Sequence, residues 1–269
     1  MTVKATAERP FELPREMEID GGVARRIIGG FIRAQLEQAG FQRVVLGLSG
    51  GIDSALVAYL VAEAIGAERL LCVLLPYRTS SPASRADAET VVERLGCSST
   101  LVDISAMVDG YFGREGAAGA IADGALAVPL RRGNLMARMR MSVLYDQSVP
   151  WGGLVAGTGN KTEVLLGYTT IHGDSACAFN PIGDLYKSQV RQLAHEIGVP
   201  AAVVAKAPSA DLWPGQTDEG EVGFSYAEVD RLLYWMIERR IEDAALAELG
   251  FDRAFVDRVQ QMVARAEYK

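Results

Sequence analysis

Residues 43–48, RVVLGL, are a short β-branched and apolar run that stops at Ser49-Gly50-Gly51, and the next stretch, IDSALVAYLVAEAIG, has the composition of a helix. An apolar run without polar alternation is the kind of strand that a parallel sheet buries on both faces. A strand that turns on two adjacent glycines into a helix is the opening of a βαβ unit, and it restricts the chain to folds that begin in this way.

The alternation repeats. RLLCVLL (69–75), STLVDI (99–104) and GLVAGT (153–158) read as further strands, separated by helical PASRADAETVVERLG (82–96) and NLMARMRMSVLYDQS (134–148). Strands alternating with helices predict a doubly wound parallel sheet with helices on both faces, of the α/β class. Upstream, GGVARRIIGGFIRAQLEQAG places Val23, Ile27, Ile28, Phe31, Ile32 and Leu36 at helical spacing, an amphipathic entry helix. Downstream the chain is mainly helical, over 184–198, 225–240 and from 243 to the end. APSADLWPGQTDEGEVGF (207–224) has the glycines, prolines and polarity of a mobile loop. The Ala/Gly-rich stretch 111–127 reads as a loose helix or a flexible crossover. With 269 residues and 49% hydrophobic content, 1–269 is expected to be a single domain.

Composition excludes several classes. A net charge of −7 argues against a general nucleic-acid binder, which needs a basic face. No apolar run is long enough to span a membrane, and the first residues lack a signal-peptide pattern, so a cytoplasmic protein that makes no membrane contact is expected. Cys72, Cys97 and Cys177 are far apart and form no CxxC, which suggests buried thiols rather than a disulfide framework or a zinc site. His172 and His195, the two histidines, have no metal-ligand spacing.

The chemistry concentrates in LGLSGGIDSA, 46–55. Backbone N–H groups of a glycine turn and of a helix start form an anion nest, and glycines let phosphate oxygens approach the main chain. A kinase-type phosphate loop needs GxxxxGK[ST], and its lysine is missing here. Ser-Gly-Gly as a bare strand-to-helix turn is the simpler alternative. The full SGGxDS after an apolar strand instead resembles the pyrophosphate loop of the N-type ATP pyrophosphatases, which cleave ATP between the α- and β-phosphates.

GNLMARMRM (133–141), GTGNKTEVLLGY (157–168), GDLYK (183–187), KAPSADL (206–212) and QTDEGEVGFSYAEVD (216–230) resemble the NAD synthases in the same order and spacing. The resemblance covers nearly the whole chain and implies an adenine nucleotide alpha hydrolase-like fold. It implies an ATP-dependent carbon–nitrogen ligase that adenylates the nicotinate carboxylate of deamido-NAD and replaces AMP by ammonia. It assigns Gly47, Ser49, Gly50, Gly51, Asp53, Ser54, Thr158, Lys187 and Ser209 to ATP. It gives Mg²⁺ to Asp53 and Glu163, a pairing that suits a hard cation held by carboxylates and phosphate oxygens. Arg138, Tyr168 and Lys269 fall to the acid substrate, and Asp53, Asp174 and Lys187 to catalysis. Lys187 would bring a point charge to the triphosphate, and Asp174 would orient ammonia or take a proton from ammonium. A homodimer is implied as well. Free ammonia is the expected nitrogen donor, a separate glutaminase being the alternative.

Departures from the family pattern cluster at TTIHGDSACA (169–178), where Ile171 stands for a lysine and Ala178 for an aspartate. The tail keeps Lys269 but lacks the histidine that precedes this lysine in relatives. The same adenylation and amidation of a different carboxylic acid is the alternative reading.

Overall fold

The computed structural model describes residues 11, 13–113, 127–208 and 218–269. Ser209 and nearly all of the Ala/Gly-rich stretch lie outside these residues. In chain order the elements are α1 (Gly21–Ala39), β1 (Arg43–Gly47), α2 (Ile52–Ile65), β2 (Leu70–Leu74), α3 (Pro82–Leu95), β3 (Ser98–Leu101), α4 (Ser105–Phe112), α5 (Ala127–Trp151) and β4 (Gly153–Ala156). There follow α6 (Lys161–Leu166), α7 (Lys187–Ile197), α8 (Ala201–Ala205), α9 (Asp218–Val222), α10 (Tyr226–Leu233), α11 (Asp243–Glu248) and α12 (Arg253–Ala266).

The four strands pair in parallel in the order β3-β2-β1-β4. Strand pleating sends alternate side chains to opposite faces. Val44 and Leu46 of β1 therefore join the core under α1, α2 and α7, while Val45 joins Leu71 and Val73 under α4 and α5. A third apolar cluster, with Leu166, Tyr226, Val229, Leu232, Leu246 and Val259, packs the C-terminal helices around α6. Each large apolar side chain so buried contributes about 1.5–3 kcal/mol relative to exposure.

Expectation and structure differ in three elements. The third strand is assigned only to Leu101, although Val102 and Ile104 N–H still bond to Leu74 O at 2.9 Å and Pro76 O at 3.0 Å as the chain leaves the sheet. The helix expected over 225–240 stops as an α-helix at Leu233. It widens into a π-turn at Tyr234–Glu238, where Arg239 N–H bonds to Tyr234 O at 3.1 Å. Within the expected loop 207–224, Asp218–Val222 is helical.

Cys72 and Cys97, distant in sequence, are buried neighbours with their sulfurs 3.7 Å apart as free thiols, because β2 and the start of β3 are adjacent. In α1, Ile28, Ile32 and Leu36 are buried, whereas Ile27 is 66% and Phe31 39% exposed. The helix is apolar on two stripes, and only one faces this chain's core. Among the described residues no helix is long and apolar enough to cross a membrane.

Candidate active site

The strand order reverses between β1 and β4: β1 is followed by a connection to β2 on one side, while β4 lies on the other. Loops leaving the carboxyl ends of two such strands diverge and open a crevice, the usual ligand position in an open α/β sheet. Here those loops are 48–51 and 157–160.

The first loop is built for close approach. Gly50 has φ +78°, and a Cβ on it would fall 2.0 Å from the Ser84 carbonyl oxygen of α3, so only glycine fits. Ser54 closes the turn: its hydroxyl donates to Gly51 O at 3.1 Å and accepts from Ser49 N–H at 3.2 Å, and it lies 3.1 Å from Ser49 Oγ. Gly51 N–H in turn donates to Ser49 Oγ at 3.2 Å. Lys206 ties the far wall, donating to Ser84 Oγ and Asp87 Oδ2 at 2.9 and 2.8 Å. Gly47 lets Leu144 of α5 pack on β1, since a Cβ there would lie 3.2 Å from its methyl.

The second loop leads into α6. Asn160 and Glu163 form a reciprocal capping box, Asn160 Oδ1 accepting from Glu163 N–H at 3.0 Å and Glu163 Oε2 from Asn160 N–H at 3.3 Å. Asn160 is fully buried, and its amide nitrogen donates to Asp53 Oδ1 at 2.9 Å, joining the two loops. Thr158 lies half-buried in the same loop.

Lys187, the first residue of α7, lies between the two carboxylates, donating to Asp53 Oδ2 at 2.5 Å and Glu163 Oε1 at 3.0 Å. Its side chain is 2% exposed, against 18% for Asp53 and 16% for Glu163, so the carboxylates keep the crevice-facing edge. Burial works against the lysine's charge, but Asp53 and Glu163 outweigh it and hold its pKa above the ordinary value. Desolvation pushes Glu163 up to about 7; Lys187 pulls it down and Asp53 adds to the rise.

Asp218 of α9 lies nearby, its carboxyl raised by burial and lowered in part by Lys187 and by hydrogen bonds from Tyr226 and Tyr168. Three carboxylates against one ammonium leave the cluster short of positive charge. Its donors are hard oxygens, and among the described residues no three His, Cys, Asp or Glu side chains form a metal cage. That donor set fits Mg²⁺, which takes one or two carboxylates and completes its shell with phosphate oxygens and water. Asp53 and Glu163 are the residues that would hold it.

The segment 167–178 forms the outer part of the site. Arg138 Nε donates to Ile171 O at 3.2 Å, and Thr170 Oγ1 donates to Asn134 Oδ1 at 2.9 Å, so α5 grips the segment twice. Lys269 Nζ reaches back to Gly167 O and to Thr169 O, the latter at 2.8 Å. The Asp174 carboxylate accepts from Thr170 N–H at 2.8 Å; although the residue as a whole lies at the surface, the protein packed around this carboxyl raises its pKa against that hydrogen bond.

The structure thus joins Asp53, Glu163 and Lys187 in one cluster, with the Ser49–Ser54 loop and Thr158 at the same crevice. Tyr168 and Asp174 belong to the adjoining segment, and Arg138 of α5 and Lys269 bond to its backbone carbonyls. Sequence reasoning passed over Asn160, Asp218 and Asp230. The signal available for Asn160 was its place three residues before Glu163, and for Asp230 a carboxylate on the apolar face of α10.

An anion-binding turn and an acid cluster at the switch point of a parallel sheet mark a nucleotide-binding α/β enzyme of the doubly wound class. The NAD synthase family model matches residues 25–269. The NH(3)-dependent NAD(+) synthetase of Trichlorobacter lovleyi is 50% identical over 253 residues, covering 94% of this chain and 89% of that protein. The structure of the NH3-dependent NAD synthetase from Campylobacter jejuni, in complex with the nitrate ion, is similar with a TM-score of 0.76 at 32% identity, covering 93% of this chain and 96% of that one. NMN synthetase from Francisella tularensis is similar with a TM-score of 0.78 at 27% identity and the same coverage. The chain belongs to the NAD synthase family.

Proposed function

We propose that this chain is an ammonia-dependent NAD synthetase, which joins ammonia to the nicotinate carboxyl of deamido-NAD and converts ATP to AMP and pyrophosphate. The observation that carries this reading is the meeting of Asp53, Glu163 and Lys187 beside the Ser-Gly-Gly turn, between β1 and β4.

The backbone N–H groups at Ser49–Ser54 receive the ATP phosphates, with Thr158 and Ser209 completing the nucleotide contacts. Lys187 keeps its proton throughout, held by Asp53 and Glu163, and so presents fixed positive charge as pyrophosphate departs. Asp53 and Glu163 would hold Mg²⁺, which when bound would supply further charge neutralisation at the phosphates. The substrate carboxylate attacks the α-phosphorus, and ammonia then displaces AMP from the acyl-adenylate.

Arg138, Tyr168 and Lys269 flank the acid substrate, Lys269 from where its ammonium also bonds to the carbonyls of Gly167 and Thr169. Asp174, with its raised pKa, orients ammonia or removes a proton from ammonium. Residues 1–269 act as one synthetase domain that uses free ammonia in the cytoplasm. Two copies associate through α1 and α5, where Ile27, Phe31, Tyr145 and Val149 are exposed and a groove of about 350 Å³ lies beside Tyr145 and Val149. Light scattering of the purified protein tests the dimer.

A second reading keeps the chemistry and changes the acid. Ile171 and Ala178 remove one positive and one negative group from the acid-substrate segment relative to the family pattern, and a similar fold carries NMN synthetase. Steady-state rates with deamido-NAD against the acid from which NMN is made separate the two, and turnover of only the latter would displace the first reading.

A further inference from the structure

Asp230 is fully buried on the face of α10 whose other members, Tyr226, Val229 and Leu233, belong to the apolar core. A buried carboxylate persists only where hydrogen bonds replace its water. Asp230 has three: its Oδ1 accepts from Thr162 Oγ1 at 2.5 Å, and its Oδ2 accepts from Ser188 N–H and Ser188 Oγ, each at 2.7 Å. Thr162 Oγ1 itself accepts from Lys187 N–H at 3.0 Å. A hydroxyl has one hydrogen, so Thr162 spends it on Asp230 and the direction of the chain is fixed.

Thr162 immediately precedes Glu163, and Ser188 immediately follows Lys187. One carboxylate from a third helix therefore clamps the first turns of α6 and α7, each beside a member of the phosphate-facing cluster. We infer that Asp230 is a positioning residue for the amidation reaction, setting Glu163 and Lys187 at contact distance through Thr162 and Ser188. It touches no substrate. Its effect on rate rests on the proposed function, since misplacement of about 1 Å at a reacting centre costs on the order of a hundredfold in rate.

The test uses the whole protein with Asp230→Asn, Thr162→Val, Thr162→Ser and the Asp230→Asn/Thr162→Val pair, assayed where circular dichroism shows each to be folded. Thr162→Val is expected to lower kcat by about tenfold or more while the KM values for ATP and the acid stay within about threefold. Thr162→Ser, which keeps the hydroxyl, restores kcat to within about threefold. The double variant is no slower than Asp230→Asn alone, because both changes break one chain of bonds.

Crystal structures of Thr162→Val and Thr162→Ser read the geometry without turnover: the Lys187 to Glu163 contact, 3.0 Å here, is lost in the first and kept in the second. An intact contact in Thr162→Val, or equal kcat in Thr162→Val and the unaltered protein, overturns the inference. If Asp230→Asn fails to fold, the two Thr162 variants decide alone. If the unaltered chain forms no amide, the proposed function fails, and the crystal structures still decide the clamp.

Discussion

Lys187 Nζ donates to Asp53 Oδ2 at 2.5 Å across 134 residues of chain, and the two are brought together by the junction of β1 with α2 and the first turn of α7. A buried ammonium shared by two carboxylates leaves uncompensated charge when it is removed. Lys187→Met is expected to lower stability by about 3–5 kcal/mol and is read by urea unfolding. Amide synthesis is expected to fall by about a hundredfold or more, because fixed charge at the departing pyrophosphate is lost.

Glu163 has its pKa raised from 4.5 to about 7, so the folded protein keeps a proton that the unfolded chain releases above pH 4.5. Its stabilising contribution is present below that value and is lost as pH rises to about 7, after which it changes no further. Thermal melts of the metal-free protein are expected to show this fall, and Glu163→Gln to flatten it. Metal ligation requires the deprotonated carboxylate, so the Mg²⁺ concentration for half-maximal activity is expected to drop from about pH 6 to about pH 8.

Gly50→Ala places a methyl carbon 2.0 Å from a backbone carbonyl at φ +78°. Strain of this kind costs on the order of 1–3 kcal/mol. Part of it is expected to be relieved by displacing the turn, so calorimetry should find ATP binding weakened well beyond what the change in melting temperature explains.

The strand-turn-helix at 43–65 and the cluster Asp53, Glu163 and Lys187 were legible because each sits in a short motif whose order along the chain survives folding. What holds the cluster was not. Asn160 meets Asp53 over 107 residues, and Asp230 meets Thr162 over 68 and Ser188 over 42. Such contacts depend on how α6, α7 and α10 pack, and helical periodicity is silent on packing partners. The site role expected of Lys187 took a buried form, since the first residue of a helix usually faces water but here is covered by Tyr226, whose ring lies 5.2 Å from Nζ.

Asp174→Asn separates the two chemical steps. Acid-dependent exchange of pyrophosphate into ATP is expected to persist, because the phosphate turn, Asp53 and Lys187 are untouched. Amide formation is expected to fall by about a hundredfold or more, the usual worth of a positioned proton acceptor. Parallel loss of both steps would remove Asp174 from the ammonia step.

The most direct measurement is product stoichiometry: purified protein with ATP, Mg²⁺, ammonium and deamido-NAD, with NAD and AMP followed together and Asp53→Ala run alongside. Equal amounts of NAD and AMP, both lost in the variant, are the expected result. AMP without NAD, or no consumption of deamido-NAD while another acid is amidated, would contradict the assignment.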